Sequence, residues 1–232
     1  MLTRTASGWQ LGTRRAKVAS VLALTLALTT SLLAQSQSQT LTVSATMDIH
    51  QAGGYTDGSD GQPPAAYSFP AKAGQYIIFS KVVGFWAGEG GYVPWGPDGV
   101  SELTNFYGGS WHINNPIGPF SGLDYTDFAG ALVGVFLEDS LPTSAPPSLR
   151  FYYSNSSQGG IQTNFTALSP AIGQIFFIGD GKTGTGIGTD QVFRVPKTAT
   201  YLYLGYSDSC SESVPGCFSD NTQSISVTFQ LR

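Results

Sequence analysis

Near the C-terminus the chain alternates strictly, with Ile225, Val227, Phe229 and Leu231 apolar and Ser224, Ser226, Thr228 and Gln230 polar. A period of two sustained over eight residues is the pattern of a β-strand with one face on a core and the other in water. Residues 201–206 repeat it, Leu202, Leu204 and Tyr206 alternating with Tyr201, Tyr203 and Gly205. Two such strands joined by a loop commit this end of the chain to antiparallel sheet. The rest of the composition agrees, because 29 Gly, 13 Pro and 12% aromatic residues against 11% charged ones describe an all-β domain with many turns. Abundant Tyr, Phe and Val exclude a disordered chain.

Further strands are read at 41–49, 75–83, 130–137, 149–153, 175–178 and 191–195. In the first, Leu41, Val43, Ala45, Met47 and Ile49 share a face. In the second, Tyr76, Ile78, Ser80 and Val82 oppose Ile77, Phe79 and Val83, so both faces are apolar and the strand is central. The segments 84–99 and 100–122 lack a sustained period and read as loops; excursions this long in compact domains are usually functional. Asp57 and Asp60, in the loop 55–66, are spaced wrongly for an EF-hand and read as turn residues. The run 179–188 contains Gly181-Lys182-Thr183, but Phe176 stands where a phosphate loop needs glycine and no helix follows. Eight or so strands in antiparallel patterning predict a two-sheet antiparallel jelly-roll sandwich with loops gathered at its ends.

At the other terminus, Arg4, Arg14, Arg15 and Lys17 precede an uncharged run over 18–34 that ends on Ala34 and is followed by a polar stretch. Basic region, short apolar run and small residue in that order predict a secretory signal peptide over 1–34, then a polar linker over 35–40 and a single β-sandwich domain over 41–232. Ordinary export is the reading, with twin-arginine export and an uncleaved anchor as alternatives. Removing 1–34 takes four of the 11 basic residues and none of the 15 acidic ones, leaving a net charge of −8. Such a surface attracts neither nucleic acid nor anionic membrane.

Between the two C-terminal strands lie Asp208, Glu212, Asp220 and Asn221, with the chain's two cysteines, Cys210 and Cys217, bracketing Pro215-Gly216. Carboxylate, amide and carbonyl oxygens in an irregular loop suit calcium. A plain polar hairpin loop is the alternative. In an exported chain an even cysteine count predicts a disulfide. A ring this short adds about 2–3 kcal/mol on the loop-entropy model, so it serves the loop more than the global fold. Trp86, Trp95 and Tyr92 in the Gly-rich segment either stack on a sugar face or plug an end of the sandwich. No nucleophile elbow or zinc spacing accompanies His50 or His112, and pairs such as Asp124 with Asp127 or Glu138 with Asp139 read as loop carboxylates, so no enzyme is expected.

The segments GFWA and WGPDG within 84–99, with LGYSD and PGCFSDNTQSISVTF within 204–229, resemble the PA-I type (LecA-like) calcium-dependent galactophilic lectins. Weaker echoes stand at 49–53, 130–133 and 193–196. The resemblance implies a galactose-binding-domain-like sandwich with calcium held by the side chains of Asp208, Asp220 and Asn221 and the main-chain oxygen of Cys217. A main-chain oxygen from 87–91, taken as that of Ala87, adds to the shell. Asp220 stands where the family has asparagine, which adds charge and keeps an oxygen ligand. Sugar hydroxyls complete the family's metal shell; here Trp86, Trp95, His112 and Ser209 are the implied sugar contacts, His112 replacing a family histidine whose position is taken by Leu103. The expectation is a secreted, periplasmic or cell-surface module that binds carbohydrate, of galactose type, through calcium. A structural envelope domain whose calcium stiffens a loop is the runner-up, and a glycoside hydrolase a third reading.

Overall fold

The computed structural model describes residues 38–70, 72, 74–88, 94–101, 113, 115–125, 128–154, 157, 159–184, 186–211 and 214–232. The fold is that of the unit Ser36–Arg232; the predicted signal peptide and residues 35–37 of the predicted linker lie outside the described residues, while 38–40 already belong to the first strand.

Eight strands carry the architecture: β1 (Ser38–Ser44), β2 (Ala65–Ser68), β3 (Tyr76–Ala87), β4 (Val133–Leu137), β5 (Ile175–Phe177), β6 (Val192–Arg194), β7 (Tyr201–Gly205) and β8 (Thr222–Leu231). One sheet has the order β1, β8, β3, β6, with Ala167–Leu168 added in parallel outside β6, and the other has the order β5, β4, β7, β2. The pairs β1 with β8, β2 with β7, β3 with β6 and β4 with β5 are all antiparallel. They nest like the rungs of one long hairpin turned between β4 and β5, and successive rungs fall alternately in the two sheets. That winding is a jelly roll, so the all-β sandwich expected from the sequence is the observed fold.

Strand β8 shows the alternation in three dimensions, Ile225, Val227 and Phe229 being buried while the residues between them are exposed or half-buried. Strand β4 lies between β5 and β7 and is buried at all five residues, as a continuous apolar run requires. Aromatic rings fill the space between the sheets. Phe79 packs edge-on to Phe193 at 5.2 Å and Phe136 stacks on Phe176 at 5.1 Å, spacings that add to plain burial.

Three sequence expectations are corrected. Strand β1 ends at Ser44, and Ile49–Gly54 is a 3-10 turn whose entry is capped by the Asp48 carboxylate accepting from His50 N at 2.8 Å. Strand β3 runs four residues into the segment read as loop. It also carries a bulge, because Phe79 faces Phe229 but Lys81 faces Thr228, which leaves Ser80 as the extra residue. Beyond it the inward positions change from odd to even, so Val82 and Trp86 are buried and Val83 is 46% exposed. Finally, Leu123–Tyr125, Leu149–Tyr152 and Ile161–Gln162 form a small parallel sheet.

Candidate metal centre

The connection from β7 to β8 folds back on the start of the chain. Tyr206 donates its N–H to Met47 O and accepts from Ile49 N, both at 2.9 Å, which carries the chain inward before the loop begins. Two residues later Asp208 is 1% exposed. Asn221, next to β8, reaches it from the far end of the loop, donating from Nδ2 to Asp208 Oδ2 at 2.8 Å and to Ala45 O at 3.2 Å. Asn221 Oδ1 is buried and accepts no hydrogen bond among the described residues. A buried amide oxygen without a donor costs about 1–3 kcal/mol, which a cation or a proton donor would recover.

The loop is tied at three points. Cys210 and Cys217 form the expected disulfide, Ser209–Ser211 pairs with Val214–Pro215, and Gly216 N donates to Asp208 O at 3.1 Å. Cys217 takes a left-handed backbone conformation, with φ 64°, as a short ring closed by a tight turn demands. Asp60, read from the sequence as a local turn residue, reaches this loop across the fold and accepts from Phe218 N and Ser219 N at 3.0 Å each. The Ser219 side chain, aided by these main-chain donors, holds the Asp60 carboxyl below its ordinary value. Unreduced protein should show no alkylatable thiol by mass spectrometry; two modified cysteines would contradict the ring.

Charge accumulates here. Burial, together with the neighbouring Asp220 and Asp48, pushes the Asp208 carboxyl up to about 7 against the Asn221 and Ser209 hydrogen bonds. An unfolded aspartate ionises near 3.8, so between that value and about 7 the folded protein holds a proton that the unfolded chain has lost. The metal-free protein is therefore expected to lose stability as pH rises from 4 to 7, by up to about 1.4 kcal/mol per pH unit. Chemical denaturation in chelator across that range checks it; stability rising with pH would show that Asp208 ionises normally.

A second group of donors, Asp48, His50 and Asp57, has candidate ligand atoms all within 4.8 Å of one another. His50 Nδ1 lies 3.1 Å from Asp48 Oδ1, and Ser59 Oγ donates to Asp48 Oδ2 at 2.7 Å. Burial disfavours charge on Asp48 most strongly, yet His50, Ser59 and Asp57 together hold its carboxyl below the ordinary value, while burial and then Asp48 raise that of Asp57. Among the described residues His50 Nε2 and Asp57 Oδ2 are buried without hydrogen-bond partners. No spacing in the sequence marks this cluster, because Asp48 sits within the expected strand 41–49, His50 just beyond it, and Asp57 in a separate turn.

The predicted ligands Asp208 and Asn221 are thus brought together. Asp220 is half-buried within electrostatic reach, Cys217 lies in the same loop, and Ala87 pairs with Thr222, the residue after Asn221. The predicted sugar contacts fare differently. Trp86 is 1% exposed, with Nε1 donating to Gly130 O at 2.5 Å and its ring 4.7 Å from Trp95 and 5.0 Å from Tyr206. Trp95 is buried as well and exchanges two backbone hydrogen bonds with Trp86. The Gly-rich segment therefore turns its indoles inward as a plug, and neither offers a face for stacking on a sugar. Ser209 is buried too, and its Oγ donates to Val214 O at 2.8 Å. His112 and Tyr92 lie outside the described residues. No protein-family model, curated protein or solved structure matches the chain.

Proposed function

We propose that this chain is an exported jelly-roll module that binds calcium in the β7–β8 loop and uses the ion to hold carbohydrate. The observation that carries the reading is Asn221 Oδ1, a buried oxygen without a donor among the described residues, beside the buried Asp208 carboxylate. Hard oxygen donors of this kind fit calcium. Asp208, Asp220 and Asn221 would hold it with their side chains, and Cys217 and Ala87 with main-chain oxygens. Bound there, the ion supplies positive charge and open positions for ligand hydroxyls. Export rests on the leader read at 1–34, and among the described residues no helix is long and apolar enough to cross a membrane. The activity is binding, without catalysis.

A second reading, a calcium that only stiffens the loop of an envelope domain, is favoured by the burial of Trp86, Trp95 and Ser209. Glycan-array binding with and without chelator separates the two. Chelator-sensitive retention, galactose-type glycans foremost, is the expected result; calcium binding without any chelator-sensitive glycan would favour the stiffening role.

A further inference from the structure

A cleft of about 240 Å³ opens between the Gly-rich loop after β5 and the segment around residues 162–164. We propose that this cleft is a metal-independent subsite for one neutral sugar ring. The proposal goes beyond the calcium loop and shares with that reading only the class of ligand.

Both walls are rigid before any ligand arrives. In the Gly-rich loop the buried Asp180 carboxylate accepts from Lys182 N at 2.8 Å and from Gly186 N, while Asp180 N donates to Asp98 Oδ1 at 2.8 Å. Thr183 N donates to Thr189 O at 3.0 Å, which closes the loop on itself. Gly179 has φ 60°, and a Cβ there would lie 2.3 Å from Asp98 Oδ1, so no larger residue permits this approach. The facing wall is fixed by Gln191 Nε2, which donates to Thr163 O at 2.7 Å and to Phe165 O at 2.8 Å. Preorganised walls spare a ligand the cost of ordering them.

The lining selects the ligand. Its charged groups are already engaged, Lys182 with Asp190 and Asp98 with Asp180 N, so an ionic ligand gains little. The Gln162 and Asn164 amides and the Thr183 hydroxyl also line it; Gln162 Nε2 donates to Tyr153 O at 3.4 Å and Thr183 Oγ1 accepts from Thr189 N at 3.1 Å, and their remaining sites are neutral. Amides and hydroxyls both donate and accept, as a ring of hydroxyls requires. The 42% exposed Tyr153 supplies aromatic surface for the apolar face of a sugar, while Phe177, which also lines the cleft, is buried. The volume is below the roughly 300–1,000 Å³ of clefts that take drug-sized ligands, which suits a single ring.

The test titrates the purified protein in EDTA with galactose, glucose, mannose, xylose and N-acetylglucosamine, followed by ligand-observed NMR and calorimetry. Saturable binding of at least one sugar is expected. Tyr153→Ala should weaken it about tenfold while Tyr153→Phe stays within about threefold of the parent. Asn164→Ala should also weaken it, and Asp208→Asn should leave it unchanged. Both cleft substitutions fall on exposed side chains, and a thermal melt of each variant confirms that it folds. Absence of saturable binding in EDTA, or binding indifferent to Tyr153→Ala and Asn164→Ala, overturns the proposal. Binding seen only with calcium and lost in Asp208→Asn also overturns it, while supporting the calcium loop.

Discussion

Calcium added to the chelator-treated protein at pH 7.5 is expected to raise its melting temperature by about 5–10 °C, and Asp208→Asn to abolish the rise. The magnitude follows from mass action: at a hundredfold excess over the dissociation constant, a ligand that binds only the folded state adds about 2.7 kcal/mol. For a domain near 200 residues each kcal/mol moves the midpoint by about 2–4 °C. The substitution keeps the size of Asp208 and an acceptor for Asn221 Nδ2, but removes the carboxylate charge that burial and Asp220 make costly. The metal-free variant should therefore melt no lower than the metal-free parent. Because calcium needs the ionised carboxylate, its affinity should fall up to about tenfold per pH unit below 7. Asp139→Ala, at an exposed carboxylate that accepts from Thr200 Oγ1, should leave the calcium response intact. Melting indifferent to both calcium and chelator, with no calorimetric heat of calcium binding, would remove the site.

Trp86→Ala is expected to cost about 3–5 kcal/mol, the range for truncating a fully buried large aromatic, and so to lower the melting temperature by roughly 6–20 °C. The indole packs against Trp95 and Tyr206, and its N–H donates to Gly130 O. Gly130, at φ 68°, is shaped to it, since a Cβ there would lie 2.1 Å from the ring. Truncation leaves both a cavity and an unsatisfied carbonyl. Trp86→Phe refills most of the volume and should cost less. A Trp86→Ala protein that melts like its parent yet loses glycan binding would reverse the assignment and restore the indole as a sugar platform.

The alternation of β8 and the apolar run of β4 were enough to give the sandwich, because a period of two has one physical meaning in a half-buried sheet. Trp86 was harder to place. Its orientation depends on the single bulged residue, Ser80, whose effect on every later side chain of β3 cannot be seen from the pattern on one strand. The motif of the β7–β8 loop pointed to Asp208 and Asn221, residues that the fold does bring together. Asp48, His50 and Asp57 gave no such signal: their proximity arises from a 3-10 turn that begins at the end of the expected strand, with Asp57 brought in by a separate loop. The Gly-rich run after β5 was legible only by exclusion, as something other than a phosphate loop, because the cleft it borders takes its other walls from Asp98 and residues 162–164.

The nested pairing has a consequence for the order of folding. Strand β8 is made after the other seven, yet it stands between β1 and β3 and pairs with both. While the chain is still being synthesised, β1 and β3 present open edges that only a strand about 180 residues downstream of β1 can close. Contacts so distant in sequence make folding slow and leave the unfinished sheet prone to pairing with other chains. A carrier that keeps the chain extended until β8 has been made would guard against that, and substitutions in β8 should reduce the yield of folded protein out of proportion to their effect on its final stability.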